Sequence, residues 1–283
     1  MKKIIKHSQA LFFVFSIVLL LSGCGTGQQS ASNAGSTVQT ESSGQASSET
    51  TQTVELTVSA AASLTDALKE IQTLYESTHK DIHLNFNFGG SGALEKQIEQ
   101  GAPSDLFLSA SNKNMKSLVD QQLIDSNKQQ TWLTNELVAV IPADGTMNIA
   151  SVTDLTKKEV KKVAIGIPES VPAGNYAQEA LTNAKLWDTL QSKLVQAKDV
   201  RQVLQYVETG NADVGFVYKT DALTTQKAKI AFKVDPKTYS PVKYPIGIVK
   251  ASKHIQEAED FYAYLQSQES LNIMAKYGFT ISK

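Results

Sequence analysis

The sequence predicts an α/β protein built as two doubly wound lobes. Short apolar strand patterns alternate with helical patterns over the whole stretch from Val54 onward, an order that argues for parallel sheets covered by helices. At 283 residues the chain is too long for one compact domain and about right for two. A hydrophobic fraction of 41% supplies enough apolar surface for both cores.

The first 23 residues concern address rather than fold. Lys2, Lys3 and Lys6 form a basic start, and Ala10 to Leu21 is an apolar run broken only by Ser16. The run is too short to span a bilayer and has the layout of a secretory signal. It ends in Leu21-Ser22-Gly23-Cys24, which resembles the bacterial lipobox. That resemblance implies removal of residues 1–23 and lipidation of Cys24, the chain's sole cysteine, on the extracytoplasmic face of the cell membrane. Two acyl chains at roughly 0.8 kcal/mol per buried CH₂ would anchor it firmly. From Gly25 to Thr53 the residues are small and polar, with Glu41 and Glu49 the only charges. Such a segment cannot bury enough surface to order itself, so residues 24–53 are expected to form a lipidated tether with a reach of roughly 30 Å.

The body then proceeds element by element. Val54–Ala60 is a strand, and Ser63 opens a helix whose Leu64, Ala67, Leu68, Ile71, Leu74 and Tyr75 share one face; Ser63 with Asp66 approximates a capping box. Ile82, Leu84, Phe86 and Phe88 alternate with polar residues in a one-sided strand, Gly89–Gly92 is a turn, and Ala93–Gln100 is helical. Leu106–Ser109 and Asn112–Asp120 give a further strand and helix. Glu136–Ile141 and Val163–Ile167 are strands, Ala173–Ala184 a helix, and Leu194–Ala197 a strand before a helix at Val200–Thr209. Val214–Tyr218 is a strand, followed by weaker elements through Val234. Tyr244–Val249 is the last strand, before helices at Ile255–Gln266 and Ser270–Tyr277.

Composition narrows the chemistry. Lys+Arg 27 against Asp+Glu 28 gives a net charge of −1, which advertises no nucleic-acid partner. Loss of residues 1–23 removes three lysines and no acid, leaving −4. Arg201 is the single arginine, and its default role is a structural salt bridge or a helix-start contact. One cysteine and four histidines without metal-ligand spacing argue against a disulfide framework or a zinc enzyme. No GxSxG elbow surrounds Ser63 or Ser91, and no GK[ST] follows Gly89-Gly90-Ser91-Gly92, so neither a serine hydrolase nor a P-loop is indicated. A surface adhesion module would suit the tether but not the loops.

In doubly wound sheets, ligands sit beyond the carboxyl ends of strands. That rule selects the loops holding Ser63, Ser91, Ala173, Val200 and Tyr218. Each offers uncharged donors at or near a helix start, where N–H groups are unpaired and the dipole favours anions. Taken one at a time, a serine before a helix is a cap and a strand-end tyrosine is a packed aromatic.

Several motifs together carry more weight. Ala60-Ala61-Ala62-Ser63-Leu64-Thr65-Asp66-Ala67, Gly101 to Ala110, and Val171-Pro172-Ala173-Gly174-Asn175-Tyr176-Ala177 resemble the periplasmic molybdate-binding proteins of ABC transporters. Asp199-Val200-Arg201, Gly215-Phe216-Val217-Tyr218 and Lys276-Tyr277-Gly278-Phe279 are similar as well, in the same order from about Leu56 to Ile281. The resemblance implies a class II solute-binding fold, with two lobes joined by a two-strand hinge and the ligand in the cleft between them. One lobe is expected at residues 54–138 plus 241–283 and the other at 139–240. It also implies a monomeric receptor, not an enzyme, that needs no cofactor and no metal-cation ligand. Molybdenum would be held as the oxyanion, by Ser63, Ser91, Ala173, Val200 and Tyr218. Molybdate, with tungstate, is the implied ligand, and a permease and ATPase of an ABC transporter the implied partners; sulfate is the alternative oxyanion. Family members carry several adjacent serines in the second loop, whereas this chain has Gly90-Ser91-Gly92.

The anchor makes a direct prediction. Replacing Cys24 by Ala releases the protein from the membrane and leaves anion affinity unchanged, checked by fractionation after a high-salt wash.

Overall fold

The computed structural model describes residues Thr53–Ser282. The signal segment, Cys24 and the tether lie outside the described residues, as does Lys283. From Val54 to Thr134 the elements are β1 (Val54–Ala61), α1 (Thr65–Thr78), β2 (Ile82–Gly89), α2 (Ser91–Glu99), β3 (Leu106–Leu108), α3 (Asn112–Asp120) and β4 (Ile124–Thr134). Then come β5 (Leu137–Pro142), β6 (Val163–Gly166), α4 (Pro172–Asn183), α5 (Trp187–Leu190), β7 (Leu194–Ala197), α6 (Val200–Glu208), β8 (Val214–Tyr218), α7 (Lys219–Ala222) and β9 (Ala228–Lys233). The chain closes with β10 (Lys243–Val249), α8 (Ile255–Leu265), α9 (Gln268–Lys276) and β11 (Thr280–Ile281).

Two sheets result. The first is six-stranded in the order β11-β4-β10-β3-β1-β2, and the second five-stranded in the order β7-β6-β8-β5-β9. The fold is α/β, as the strand–helix alternation predicts. Its sheets, however, are mixed rather than parallel throughout. β1 pairs in parallel with β2 and β3, and β6 with β7 and β8, where a helix carries the chain back each time. β5 and β10 enter their sheets straight from the other sheet, with no helical crossover, and both run antiparallel to their neighbours. β5 already pairs at Leu137, two residues before the boundary expected from sequence.

Inner strands carry apolar residues on both faces, as buried central strands must. All five residues of β8 are buried, and so are Leu137 to Ile141 of β5. β2, at an edge of the first sheet, alternates buried Ile82 and Leu84 with exposed His83 and Asn85. β4 was not legible in sequence. Of its 11 residues only Ile124, Trp132 and Leu133 are buried, so neither alternation nor an apolar run marks it. It is held by the β10 ladder and by Trp132, whose Nε1–H donates to the Leu265 carbonyl at 2.9 Å.

The two passages between the sheets, 134–137 and 233–243, lie side by side. Asn135 N–H donates to the Val242 carbonyl at 3.2 Å, and Leu137 N–H to the Tyr239 hydroxyl at 3.1 Å. These bonds set the sheets so that loops from the carboxyl ends of β1, β2, β6, β7 and β8 converge.

Candidate anion site

Ser63 lies in a single 3₁₀ turn, Ala62–Leu64, between β1 and α1. The expected capping box with Asp66 does not form. The Ser63 hydroxyl is instead 2.9 Å from the Tyr244 hydroxyl, and Asp66 is drawn to Arg201. Ser91 is the first residue of α2, which starts two residues earlier than the glycines suggest. Ala173 follows Pro172 at the start of α4, where the missing proline N–H costs nothing. Val200 opens α6 behind the Asp199 cap, whose carboxylate accepts from Gln202 N–H at 2.8 Å. First-turn N–H groups have no acceptor within their own helix, so Ser91, Ala173 and Val200 each bring an unpaired donor and a positive dipole end. Tyr218 is the last residue of β8.

All five residues line one small cavity, together with Ala61, Ala62, Gly89, Gly90, Ala110, Val171 and Pro172. No charged side chain is among them. The free space among these walls is about 200 Å³, part of it continuous with solvent. A separate, larger groove runs along Asp66, Arg201, Glu208 and Lys276. That groove mixes both signs of charge along its walls.

Both serines and Tyr218 are buried, at 3%, 0% and 1% exposure. Ser91 Oγ accepts from Ala110 N–H at 2.9 Å. The Tyr218 hydroxyl has no hydrogen-bond partner among the described residues. Burial pushes its pKa well above the ordinary tyrosine value, with the neighbouring Tyr244 next in effect, so it remains a protonated donor. A buried hydroxyl left unpaired costs about 1–3 kcal/mol, and such orphans point to a missing partner.

The glycines flanking Ser91 have a steric reason. A Cβ on Gly90 would stand 2.8 Å from the Ser170 carbonyl oxygen and 3.0 Å from that of Lys198; one on Gly92 would stand 2.9 Å from Ser170 Cα. Gly92 N–H donates to the Ser170 carbonyl at 2.9 Å. The loop before α2, on the first sheet, thus meets the loop before α4, on the second, backbone to backbone.

Arg201 ties three of the site's segments together. Its guanidinium lies 2.6 Å from Asp66, three residues after Ser63, and 2.8 Å from Asp221, three residues after Tyr218. The second is an ion contact rather than a well-aligned hydrogen bond. Asp221 is fully buried; burial pushes its carboxyl up to about 6, against the pull of Arg201. The salt-bridge role expected for Arg201 is what the structure shows. Tyr244, Asn135, Asp221 and the glycine contacts were not singled out in sequence, because their partners lie far along the chain.

The residues matched by the family model of bacterial extracellular solute-binding proteins are 56–280, nearly the whole described body. The chain belongs to that family. Among its relatives, a Bacillus subtilis protein named as an ABC transporter substrate-binding lipoprotein, YvgL, is 51% identical over 84% of this chain and 91% of its own length. The molybdate-binding protein ModA of Haemophilus influenzae is 37% identical over 80% of this chain and 90% of its own. A solved substrate-binding domain, titled for a molybdenum ABC transporter of Clostridium difficile, is 45% identical with a TM-score of 0.62, covering 82% of this chain and 100% of that one. Membership in this family agrees with the expectation of a binding protein rather than an enzyme. It also places the protein outside the cytoplasm, as a solute-binding component of an ABC transporter. No described helix is long and apolar enough to cross a membrane.

The Arg201 cluster yields two predictions of different size. Arg201→Met leaves Asp221 buried and unpaired, so unfolding free energy falls by about 3–5 kcal/mol. Because Asp221 escapes that cost by taking a proton, the deficit is larger at about pH 8 than at about pH 5, measured by denaturant titration. Asp66→Asn removes a half-exposed partner, costs under about 1 kcal/mol of stability, and weakens anion binding a few-fold by loosening a contact between the two halves.

Proposed function

We propose that this protein captures molybdate, and tungstate with it, and delivers the anion to the permease and ATPase of an ABC transporter. The observation that carries the reading is the Tyr218 hydroxyl, buried without a partner in a cavity of uncharged donors. A fully deprotonated tetrahedral oxyanion is all acceptors. Hydroxyls of Ser63, Ser91 and Tyr218 and first-turn N–H groups at Ser91, Ala173 and Val200 supply what it needs. Hydrogen bonds to a charged group contribute roughly 1.5–3 kcal/mol each, so five or more outweigh the costs of association and closure and leave submicromolar to nanomolar affinity. The relatives' names, molybdate-binding protein and molybdenum transporter, support the choice of anion.

The two lobes follow the two sheets, the side-by-side passages act as the hinge, and closure brings Ser63 and Ser91 toward Ala173, Val200 and Tyr218. Cys24 carries the lipid anchor and residues 25–53 the tether, in keeping with the lipoprotein name of the Bacillus relative. The receptor acts as a monomer and needs no cofactor.

A thermal-shift panel of molybdate, tungstate, sulfate, phosphate and chromate tests the ligand class. Molybdate and tungstate stabilise by about 2.7 kcal/mol once free ligand reaches about 100 times Kd. A response to sulfate alone makes this a sulfate receptor, and none to any anion ends the oxyanion reading. Tyr218→Phe keeps the ring and loses one charge-assisted hydrogen bond. Calorimetry then shows a roughly ten- to 150-fold rise in Kd with little change in unliganded stability, and stopped-flow shows it mainly as faster release.

A further inference from the structure

We propose that Leu223, an exposed residue outside the cavity, is a positioning residue that latches the two halves of the molecule together over the anion and so sets how slowly the anion leaves. The inference rests on the oxyanion reading above and adds what holds the closed form.

Leu223 directly follows α7, in the half built on the second sheet, and is 58% exposed. Its neighbour belongs to the other half. A Cβ placed on Gly278 would stand 2.8 Å from Leu223 Cδ1, so the tip of the leucine lies against the bare face of that glycine. Gly278, between α9 and β11, has a φ of +89°, in the left-handed region that side chains disfavour. A single exposed leucine ordinarily needs no explanation. Here the opposite half offers backbone without a side chain, and the leucine takes the space.

The first half is braced at this point. Glu70 of α1 accepts from Lys276 Nζ at 2.8 Å and from the Tyr277 hydroxyl at 2.9 Å, which ties the residues just before Gly278 to the helix that follows Ser63. One turn earlier on α1, Asp66 lies 2.6 Å from the Arg201 guanidinium of the second half. Arg201 also donates to Thr224 Oγ1 at 3.2 Å, on the residue next to Leu223. The apolar contact and the ion pair therefore share one seam. Both run between the halves, and neither lines the anion cavity.

A contact made only on closure acts on one rate. The anion enters while the halves are apart, when Leu223 faces water, so association does not depend on the leucine. Release requires the halves to part, and parting returns the leucine tip and the glycine to water. The latch thus slows release without adding any contact to the anion.

The test uses purified full-length protein loaded with radiolabelled molybdate and diluted into excess unlabelled molybdate, with association followed by stopped-flow. Leu223→Ala releases molybdate about 4- to 15-fold faster, the worth of one or two CH₂ groups buried on closure, and associates at the wild-type rate. Its denaturant midpoint without ligand stays at the wild-type value, because the leucine is exposed when the halves are apart. Leu223→Met keeps an apolar tip of similar volume and releases as the wild type does. Unchanged release in Leu223→Ala overturns the proposal. So does faster release that Leu223→Met shares in full, or that comes with an equal loss of unliganded stability, since either places Leu223 in the folding of its own half. A wild type that fails to bind molybdate refutes the functional reading itself; tight wild-type binding with unchanged release in Leu223→Ala refutes the latch alone.

Discussion

A buried hydroxyl without a partner costs folding free energy, and Tyr218 carries one where the loops of both sheets meet. Most of the architecture can be read as arranging for that hydroxyl, and the donors around it, to be answered by one small anion. A formal cation in the cavity would bind any anion and would be screened by salt. Helix starts and hydroxyls hold their charge in fixed directions, so they recognise a shape and a pattern of acceptors.

The supporting contacts keep the two halves in register around this cavity. Gly90 and Gly92 let the loop before α2 approach Ser170 and Lys198 without a Cβ in the way. Arg201, which sequence alone marks only as a lone cation, spans Asp66 beside the first sheet and Asp221 beside the second. It lines the neighbouring groove rather than the cavity, so it organises the site from outside without supplying charge inside. The Tyr244 hydroxyl, at the start of β10, bridges Ser63 and Asn135.

How much of this was legible in sequence depended on the range of the interaction. Local patterns marked elements well: Asn112–Asp120, Leu194–Ala197 and Val214–Tyr218 have the bounds that their periodicity predicts. β4 escaped because most of its residues face solvent, and strand direction escaped because periodicity does not encode it. Five of the residues lining the cavity were named through motifs resembling a known family; helix-start patterns alone favoured reading each of them as a cap or a packed aromatic. Asp66 in sequence looked like half of a capping box, and only the fold shows it committed to Arg201, 135 positions away. The Ser63–Tyr244 pair spans 181 positions and has no local signature at all.

The central claim is that uncharged donors alone hold the anion. Titrating molybdate into the protein at low and at high sodium chloride tests it most directly. Donors in a buried cavity are poorly screened, so the dissociation constant should change only modestly between the two. A loss of affinity of several decades would show that exposed lysines, not helix starts and hydroxyls, bind the ligand, and would contradict the account.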